Sequence, residues 1–413
     1  MSNSGTTTLL SDVNSVAENH DIILQEPTRS ASKKLVYLEA ARGIASIFVI
    51  FWHFSAAFLP KTIFKSFLHG GIGLTPLQIV FNGPGAVRFF FVLSGFVLTL
   101  SLFRRPSLRS LLVSTIKRLP RLMIPCLASI LIGYAMLSTG MNFYKDAALI
   151  THSQWLSDFG NAHFPTQNFT PSFFSAMKQG LFVFLTQDNF YYNSNLWTMR
   201  NEYFGSLIAL MLAGLAVFGF ASARRAVTAS AMLILSILLY HHNEFYGQFA
   251  LGTTLAYIYT QWGSNVKIQK YVSICLMGSA IIGFSTFNPK ANTVASLLVI
   301  IILISNQRLA SVLSGRMGYA LGKMSFPIYL THTLVIVSAS SACYTTLYLH
   351  GINGPALLVS VLSVTLVVTV CLSMIFFFIE ETWVPFLNRI SLTTAVQVEK
   401  WISKSSRFLH DRN

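Results

Sequence analysis

The sequence predicts an all-α integral membrane protein, with about ten transmembrane helices in one bundle and both termini in the cytoplasm. Of its 413 residues, 53% are hydrophobic and only 10% are charged. Soluble domains carry about 25% charged residues, and a chain of this length cannot enclose so large an apolar fraction in a soluble core. Several apolar runs are also long enough to cross a hydrocarbon layer about 30 Å thick.

The apolar runs divide the chain into spans and connecting segments. Inside a bilayer each span must satisfy its own backbone hydrogen bonds, so every span is expected to be a helix. The ten candidate spans cover about residues 36–58, 85–103, 120–138, 203–220, 226–241, 245–262, 271–287, 291–305, 326–348 and 355–379.

The basic residues indicate the orientation and explain the net charge of +15. With the N-terminus in the cytoplasm, the inner segments hold about three times as many Lys and Arg residues as the outer ones, which is the bias expected of membrane proteins. Topology therefore accounts for the charge, and no nucleic-acid partner is predicted. The expected location is the cell membrane, either an inner or a plasma membrane.

Three regions follow from this division. Residues 1–34 are polar and lack the apolar core of a signal peptide, so they are expected to form a disordered cytoplasmic tail. Residues 35–385 form the transmembrane domain, and residues 386–413 form a cytoplasmic C-terminal tail. The long connection at 139–202 lies on the outer side. Its aromatic residues, such as Trp155, favour an ordered lid or a re-entrant segment.

One face of the first span carries polar residues where a bilayer disfavours them. Arg42, Ser46, Val49 and His53 follow one another at intervals that place them on the same helix face. Glu39 precedes Arg42 by three residues, so the two can pair. A rise of about 1.5 Å per residue separates Arg42 from His53 by about 16 Å. Arg42 therefore lies near the cytoplasmic end of the span, and His53 lies near the outer end.

The residue types on this face suggest chemistry. Arginine can hold a phosphate-bearing donor, and histidine can take a proton from a hydroxyl group near neutral pH. The alternative is that Arg42 snorkels to the interface and that His53 only caps the span.

Two further features are an arginine pair at the cytoplasmic end of the third span and two small residues inside the second span. Arg118 and Arg121 are either a clamp for phosphate groups or an anchor that obeys the positive-inside bias. The segment 104–121 holds six basic residues and no acidic one, which suits a donor rich in phosphates. Ser94 and Gly95 in the second span suit close contact with another helix, or else the approach of the backbone to a ligand.

Three residues on later segments complete the candidate site. Glu202 is either an orienter of His53 or of a sugar hydroxyl, or an interfacial carboxylate paired with Arg200. Trp197 is either part of the interfacial aromatic belt or a stacking platform for a sugar ring. His332 is either a hydrogen-bonded structural histidine or a residue that contacts the substrate. The four cysteines have no metal-ligand spacing, so no metal site is predicted.

Five segments of the chain resemble, in order, those of the acyltransferase family 3 membrane enzymes, and the resemblance covers about residues 35–385. The matching segments are Leu38–Ala45 followed by His53, Phe89–Phe96, Arg118–Arg121, Leu196–Glu202 and Ser325–His332.

The resemblance implies transfer of an acyl group, usually acetyl, from coenzyme A to hydroxyl groups of surface carbohydrates or related envelope molecules. It implies that Arg42 and His53 are essential, that Arg118 and Arg121 bind the donor together with Arg42, and that Glu202 matches the glutamate of the fourth span. Acetyl-CoA would be a co-substrate, with no permanently bound cofactor.

Departures from the family pattern bear on the acceptor more than on the chemistry. Glu39 stands in place of the usual aspartate, Ala41 in place of a leucine, and Tyr203 where a second acidic residue often occurs. The acceptor, the length of the acyl group, the choice between His53 as base and as acyl carrier, and the oligomeric state remain open.

A different function class shares the same composition, namely a multi-pass transporter or exporter of a lipid-linked or small anionic substrate. Transporters often contain internal repeats and paired broken helices near the middle of the membrane. Neither is evident in this sequence, and a histidine near one face of the membrane favours catalysis over transport.

Overall fold

A computed structural model describes residues 36–61, 77–141, 143–162, 164, 169–185, 190–220, 223–263 and 268–410. Within these ranges every regular element is a helix, and no strand occurs. The all-helical prediction is therefore confirmed for the described chain. The predicted N-terminal tail, residues 1–34, lies outside the described residues.

The helices are labelled α1 to α15 in chain order. They are α1 Val36–Phe58, α2 Gly83–Arg104, α3 Leu108–Ile116, α4 Arg118–Ser138, α5 Phe143–Thr151, α6 Phe173–Phe182, α7 Met199–Gly214, α8 Arg225–His242, α9 Glu244–Ile258, α10 Lys270–Phe284, α11 Pro289–Ser305, α12 Gln307–Leu313, α13 Arg316–Val335, α14 Ser341–Leu349 and α15 Gly354–His410. The shorter elements are a 3₁₀-helix at Ser194–Thr198, π-helices at Leu215–Gly219, Tyr259–Gly263 and Ile336–Ser340, and single turns at Leu77–Val80 and Gln154–Ser157.

Six helical stretches in the described chain are long and apolar enough to cross a membrane. They are Val36–Phe58, Gly83–Arg104, Leu108–Ser138, Ser194–Gly219, Arg316–Leu349 and Gly354–Ile402. A seventh is obtained if α11 and α12, which meet at an angle of 95°, are counted as one broken span. These lengths are those of a multi-pass membrane protein. The count of ten spans and the cytoplasmic location of both termini stay predictions.

The remaining predicted spans coincide with helices that are shorter or less apolar. At about 1.5 Å per residue, α10 is about 22 Å long, which is less than the thickness of a hydrocarbon core of about 30 Å. The helix α9 has 15 residues and is continued by the π-helix Tyr259–Gly263. Length alone therefore does not identify these helices as spans.

Glycines allow α2 and α9 to touch along their backbones. A Cβ atom added to Gly95 would lie 2.1 Å from the carbonyl oxygen of Phe249, and one added to Gly252 would lie 2.0 Å from that of Val92. The Thr253 hydroxyl donates to the Gly95 carbonyl across the same contact, at 3.4 Å. Small residues permit such close approach between helices in a membrane. The prediction of helix contact at Gly95 is confirmed.

A second contact of this kind joins α1 to α13. A Cβ on Gly43 would lie 2.6 Å from the backbone oxygen of Leu321, and a Cβ on Gly322 would lie 2.8 Å from the backbone carbon of Glu39. His53 is ten residues beyond Gly43, and His332 is ten residues beyond Gly322. The two helices begin at the same end of the bundle, so this contact places both histidines at one height, about 15 Å further along.

The connection at 139–202, predicted to lie on the outer side, contains several short helices in its described parts. The helices α5 and α6 and the turn Gln154–Ser157 lie within it, and Trp155 and Phe159 pack in a buried cluster with residues of α1. The described residues of this connection therefore form ordered structure.

The helix α15 continues past the predicted domain boundary at 386. It includes Pro385 and ends at His410. Leu387, Ser391 and Ala395 are buried at successive turns, and Arg109 in α3 pairs with Glu399 at 2.9 Å. The region assigned to a C-terminal tail thus begins as an extension of the last span, packed against α3.

We expect Gly95→Ala to destabilise the protein, because the added methyl group would overlap the backbone of α9. Overpacking of this kind costs about 1–3 kcal/mol. The melting temperature of the purified protein in lipid nanodiscs measures the effect.

Gly278 in α10 provides the matched control, because a Cβ atom there meets nothing within 4 Å. Gly278→Ala should leave the melting temperature unchanged or raise it, since alanine favours helix by up to about 1 kcal/mol relative to glycine. Equal melting temperatures for the two variants would contradict the close contact of α2 and α9.

Candidate active site

The two intramembrane histidines of the candidate site touch each other. Nδ1 of His53 lies 2.8 Å from Nε2 of His332, and their ring centroids are 5.1 Å apart. His332 is fully buried, while His53 is half-buried. The sequence analysis identified each residue alone, and the structure joins them into one pair.

The hydrogen bonds around the pair determine where the protons lie. Nδ1 of His332 is 3.0 Å from the carbonyl oxygen of Ile328. The Asn195 amide nitrogen is also 3.4 Å from this Nδ1, but its two hydrogen atoms are used by the nearer Tyr329 carbonyl and Thr333 hydroxyl. Because a carbonyl oxygen only accepts, the proton of His332 is assigned to Nδ1, and Nε2 of a neutral His332 is then an acceptor. Nδ1 of His53 must donate to it. The remaining nitrogen of neutral His53, Nε2, therefore has a free lone pair.

Two asparagines hold the helix segment that carries His332. The Asn195 side chain donates to the Tyr329 carbonyl at 2.8 Å and to the Thr333 hydroxyl at 2.9 Å. The Asn193 side chain donates to the Leu330 carbonyl at 2.8 Å. Both asparagines are buried.

No role for these asparagines was predicted from the sequence. The available signal is the pair of amides in Asn193-Ser194-Asn195, directly before the segment Leu196–Glu202, because buried polar groups need hydrogen-bond partners.

Trp155 is a third residue for which the sequence predicted no role at the site. Its indole lies nearly parallel to the His53 imidazole, with a centroid distance of 5.2 Å and an angle of 18°. It comes from the turn Gln154–Ser157 of the outer connection, so part of this connection reaches the histidine pair.

Glu202 lies with Arg118 and not with His53. The carboxylate accepts a short hydrogen bond from Arg118 and also accepts one from the Ser94 hydroxyl at 3.4 Å. The Arg118 side chain donates to Ser206 as well, at 2.8 Å. Among the described residues, Glu202 has no hydrogen bond with His53. The structure therefore gives no support to the predicted role of Glu202 as orienter of His53.

The ion pair between Arg118 and Glu202 is well removed from solvent. Only 12% of the Arg118 side chain and 15% of the Glu202 side chain are exposed. A charge buried in this way requires a partner, because desolvation of an unpaired ion costs several kcal/mol. The alternative pairing of Glu202 with Arg200 is not observed, and Arg200 instead lies over the ring of Phe204.

Two further arginines form a positive cluster with Arg118. Arg42 and Arg121 are close enough to Arg118 for their charges to interact. Arg42 is 2.9 Å from Glu39 and 24% exposed, and Arg121 is exposed. Glu380 interacts electrostatically with both Arg42 and Arg121. The positive cluster thus retains accessible cations, each with an acidic neighbour.

The first helix joins the two parts of the site. Ser46 and Val49, which lie between Arg42 and His53 on the same face, are buried at 0% and 1% exposure. This face is therefore turned into the bundle and not toward lipid. The cation cluster and the histidine pair are thus separated by about three turns of one helix.

Trp197 lies apart from the histidine pair. It is 42% exposed and packs edge-on against Phe245, with a centroid distance of 5.9 Å. Both predicted roles, interfacial belt and sugar platform, are compatible with that position. Within the described ranges, no group of three or more His, Cys, Asp or Glu residues could hold a metal ion.

Comparison with known proteins supplies a family. Residues 35–377 match an acyltransferase domain, that of acyltransferase family 3. No curated protein and no solved structure matches the chain. The matched range includes every residue of the histidine pair, the arginine cluster and the Arg118–Glu202 ion pair. The chain therefore belongs to acyltransferase family 3, a family of membrane acyltransferases.

Proposed function

We propose that this protein is an O-acyltransferase that moves an acetyl group from acetyl-CoA in the cytoplasm to a hydroxyl group of a surface carbohydrate or a related envelope molecule. The observation that carries the proposal is the hydrogen-bonded pair of His53 and His332, which leaves Nε2 of His53 unprotonated. A neutral imidazole with a free lone pair suits the removal of a hydroxyl proton.

In the proposed reaction, the oxygen of the acceptor hydroxyl attacks the thioester carbonyl while Nε2 of His53 takes the hydroxyl proton. The tetrahedral intermediate collapses with cleavage of the carbon–sulfur bond, and the thiolate receives the proton. The products are the ester and free coenzyme A. In a second route, Nε2 of His53 attacks the thioester carbonyl and expels the coenzyme A thiolate. The acceptor hydroxyl then takes the acyl group from the imidazole, and its proton passes to the thiolate. The free lone pair serves both routes.

The arginine cluster fits the donor. The phosphate groups of coenzyme A would lie against Arg42 and Arg121, with Arg118 behind them in its ion pair. Arginine binds phosphate through two parallel hydrogen bonds. On binding, the phosphates would replace Glu39 and Glu380 as the partners of these arginines. The pantetheine arm would then extend along α1 toward His53.

The acceptor would approach from the opposite side of the membrane. His53 lies near the outer end of α1, next to the ordered outer connection that contributes Trp155. The exposed ring of Trp197 offers a surface on which a sugar ring could stack. This arrangement would separate a charged donor from a hydroxyl-bearing acceptor along one helix. The proposed location is a cell membrane, either an inner or a plasma membrane.

We expect deletion of the gene in its host to remove O-acetyl signals from the NMR spectrum of the surface glycans. Glycan from the deletion strain is then a probe acceptor. Purified protein should release free coenzyme A from acetyl-CoA in its presence, and much less with glycan from the parent strain, in which the hydroxyl groups are already acylated. An unchanged glycan spectrum together with no coenzyme A release would refute the proposed function.

His53→Ala should abolish coenzyme A release, because it removes the nitrogen that takes the acceptor's proton in the proposed reaction. His332→Ala should reduce kcat by about 10²-fold, since general-base catalysis contributes about 10²–10⁴-fold and the base would lose its orientation. Assays with acetyl-CoA and glycan from the deletion strain measure both effects.

His350→Ala is the matched control for these variants. His350 is exposed, and its Nδ1 lies 2.7 Å from the carbonyl oxygen of Thr346, four residues earlier, as His332 does with Ile328. This variant should keep full activity. Full activity of His53→Ala would remove that residue from the mechanism.

Arg121→Ala should raise the KM for acetyl-CoA by about tenfold, which corresponds to about 1.4 kcal/mol of lost binding, while kcat stays the same. With acetyl-pantetheine, which lacks the phosphate groups, the variant and the wild type should have equal KM values. Arg389→Ala, at an exposed position of α15, is the control and should leave both donors unaffected. A loss shared equally by the two donors would contradict a phosphate-binding role.

Glu202→Ala should lower the melting temperature strongly, because it leaves Arg118 buried without a partner, at a cost of about 3–5 kcal/mol. The double variant Arg118→Met with Glu202→Ala should recover much of that loss, because it leaves no buried charge without a partner. If the double variant melts as low as Glu202→Ala alone, the ion pair does not control the stability of this region.

A further inference from the structure

Trp155 is held rigidly beside His53 by the turn that carries it. The Ser153 hydroxyl donates to the Ala56 carbonyl at 2.6 Å, three residues beyond His53 in α1. The same hydroxyl accepts from the backbone N–H of Leu156 at 3.2 Å and so caps the turn. The indole is 9% exposed and its ring is nearly parallel to the imidazole.

The backbone that follows Trp155 adopts conformations that L residues rarely take. Phe159 and Asn161 have φ values of 51° and 59°, and Gly160 between them has a φ of 74°. Left-handed conformations at non-glycine residues cost about 1–3 kcal/mol each, and they persist where surrounding contacts enforce them.

Here those contacts involve Trp155 itself. The Gly160 N–H donates to the Trp155 carbonyl at 2.8 Å, and a Cβ on Gly160 would lie 3.1 Å from Cζ2 of the indole.

The same strained turn meets the segment that supports His332. The added Cβ on Gly160 would also lie 3.1 Å from the Ser194 hydroxyl oxygen, and Ser194 stands between the two asparagines that hold the backbone around His332. The segment at Trp155 therefore packs against His53, and the segment at Ser194 holds the backbone around His332. The two segments contact each other at Gly160.

We propose that Trp155 is a positioning residue for the reaction. Its indole packs along the imidazole of His53 and, together with the hydrogen bond to His332, fixes the direction in which Nε2 points. This inference rests on the proposed function. Because the indole is buried, it cannot also serve as the platform for a sugar ring, so the contribution of Trp155 is orientation.

The test compares two replacements of similar size. Trp155→Phe retains an aromatic ring that can pack against the imidazole, and Trp155→Leu retains an apolar side chain that has no planar face. We expect Trp155→Leu to lower kcat by about 10²-fold, the loss associated with a misplacement of about 1 Å. Trp155→Phe should recover most of the wild-type kcat. The KM for acetyl-CoA should change in neither variant, because the donor phosphates bind at the other end of α1.

The assay is the release of coenzyme A from acetyl-CoA by the full-length protein in nanodiscs, with glycan from the deletion strain as acceptor. Trp401→Leu is the control, because Trp401 is 69% exposed on α15, and it should have wild-type kcat. Solid-state ¹⁵N NMR of histidine-labelled protein gives a readout that does not depend on turnover. The His53 signals, identified by their loss in His53→Ala, should be sharp in the wild type and in Trp155→Phe, and broadened in Trp155→Leu.

Equal kcat values for the Phe and Leu variants would overturn the inference, and so would a change in the KM for acetyl-CoA as large as the change in kcat. If neither variant is recovered folded, Gly160→Ala provides a second test, because the added methyl group would press on the indole of Trp155. This variant should lower kcat at constant KM. Wild-type kcat in Gly160→Ala would then overturn the inference. Absence of transfer by the wild type refutes the proposed function itself, which is a separate outcome.

Discussion

The backbone contact between α1 and α13 is the constraint on which the site depends. Glycines at 43 and 322 remove the side chains that would hold the helices apart, so that a Cβ atom at either position would overlap the neighbouring backbone. Because both helices rise from the same end, residues at equal distances from this contact meet at equal heights. His53 and His332 satisfy that condition, and their imidazoles reach hydrogen-bond distance.

Burial of charge determines the arrangement of the arginine cluster. An arginine inside a membrane protein costs several kcal/mol unless it is paired, and Arg118 meets this requirement through Glu202 and Ser206. Arg42 and Arg121 are more exposed to solvent, so their charges depend less on a partner. The cluster thus contains one arginine committed to the fold and two that are available to an anion. The sequence motif Arg118–Arg121 does not indicate this difference, because it contains two arginines with the same side chain.

The all-helical membrane architecture could be predicted from the sequence, because the hydrocarbon layer imposes long apolar helices. The count of ten spans and the orientation inferred from the basic residues stay predictions. The polar face of α1 and the isolated position of His332 were likewise visible in the pattern of the chain. Their contact was not, since 279 positions separate the two residues and only helix packing brings them together.

The differences between sequence and structure have the same origin. Glu202 was one candidate to orient His53, and in the structure its carboxylate pairs with the buried Arg118. Trp155, Asn193 and Asn195 lie in a long connection, where no periodic pattern predicts which residues contact the bundle. Contacts between distant segments were therefore missed, whereas the long apolar helices were predicted.

The hydrogen-bonded chain behind His53 ends at the carbonyl oxygen of Ile328, a neutral peptide group. In a serine-protease triad the same place is taken by a carboxylate, which stabilises the imidazolium as it forms. Here the hydrogen-bonded groups, His53, His332 and the Ile328 carbonyl, are uncharged before the reaction, which suits their position in an apolar bundle. In the proposed reaction, the cation formed at His53 would have no permanent counter-ion in that chain. The thiolate leaving group would then be its natural partner, which favours rapid return of the proton to sulfur and a short life for the separated charges.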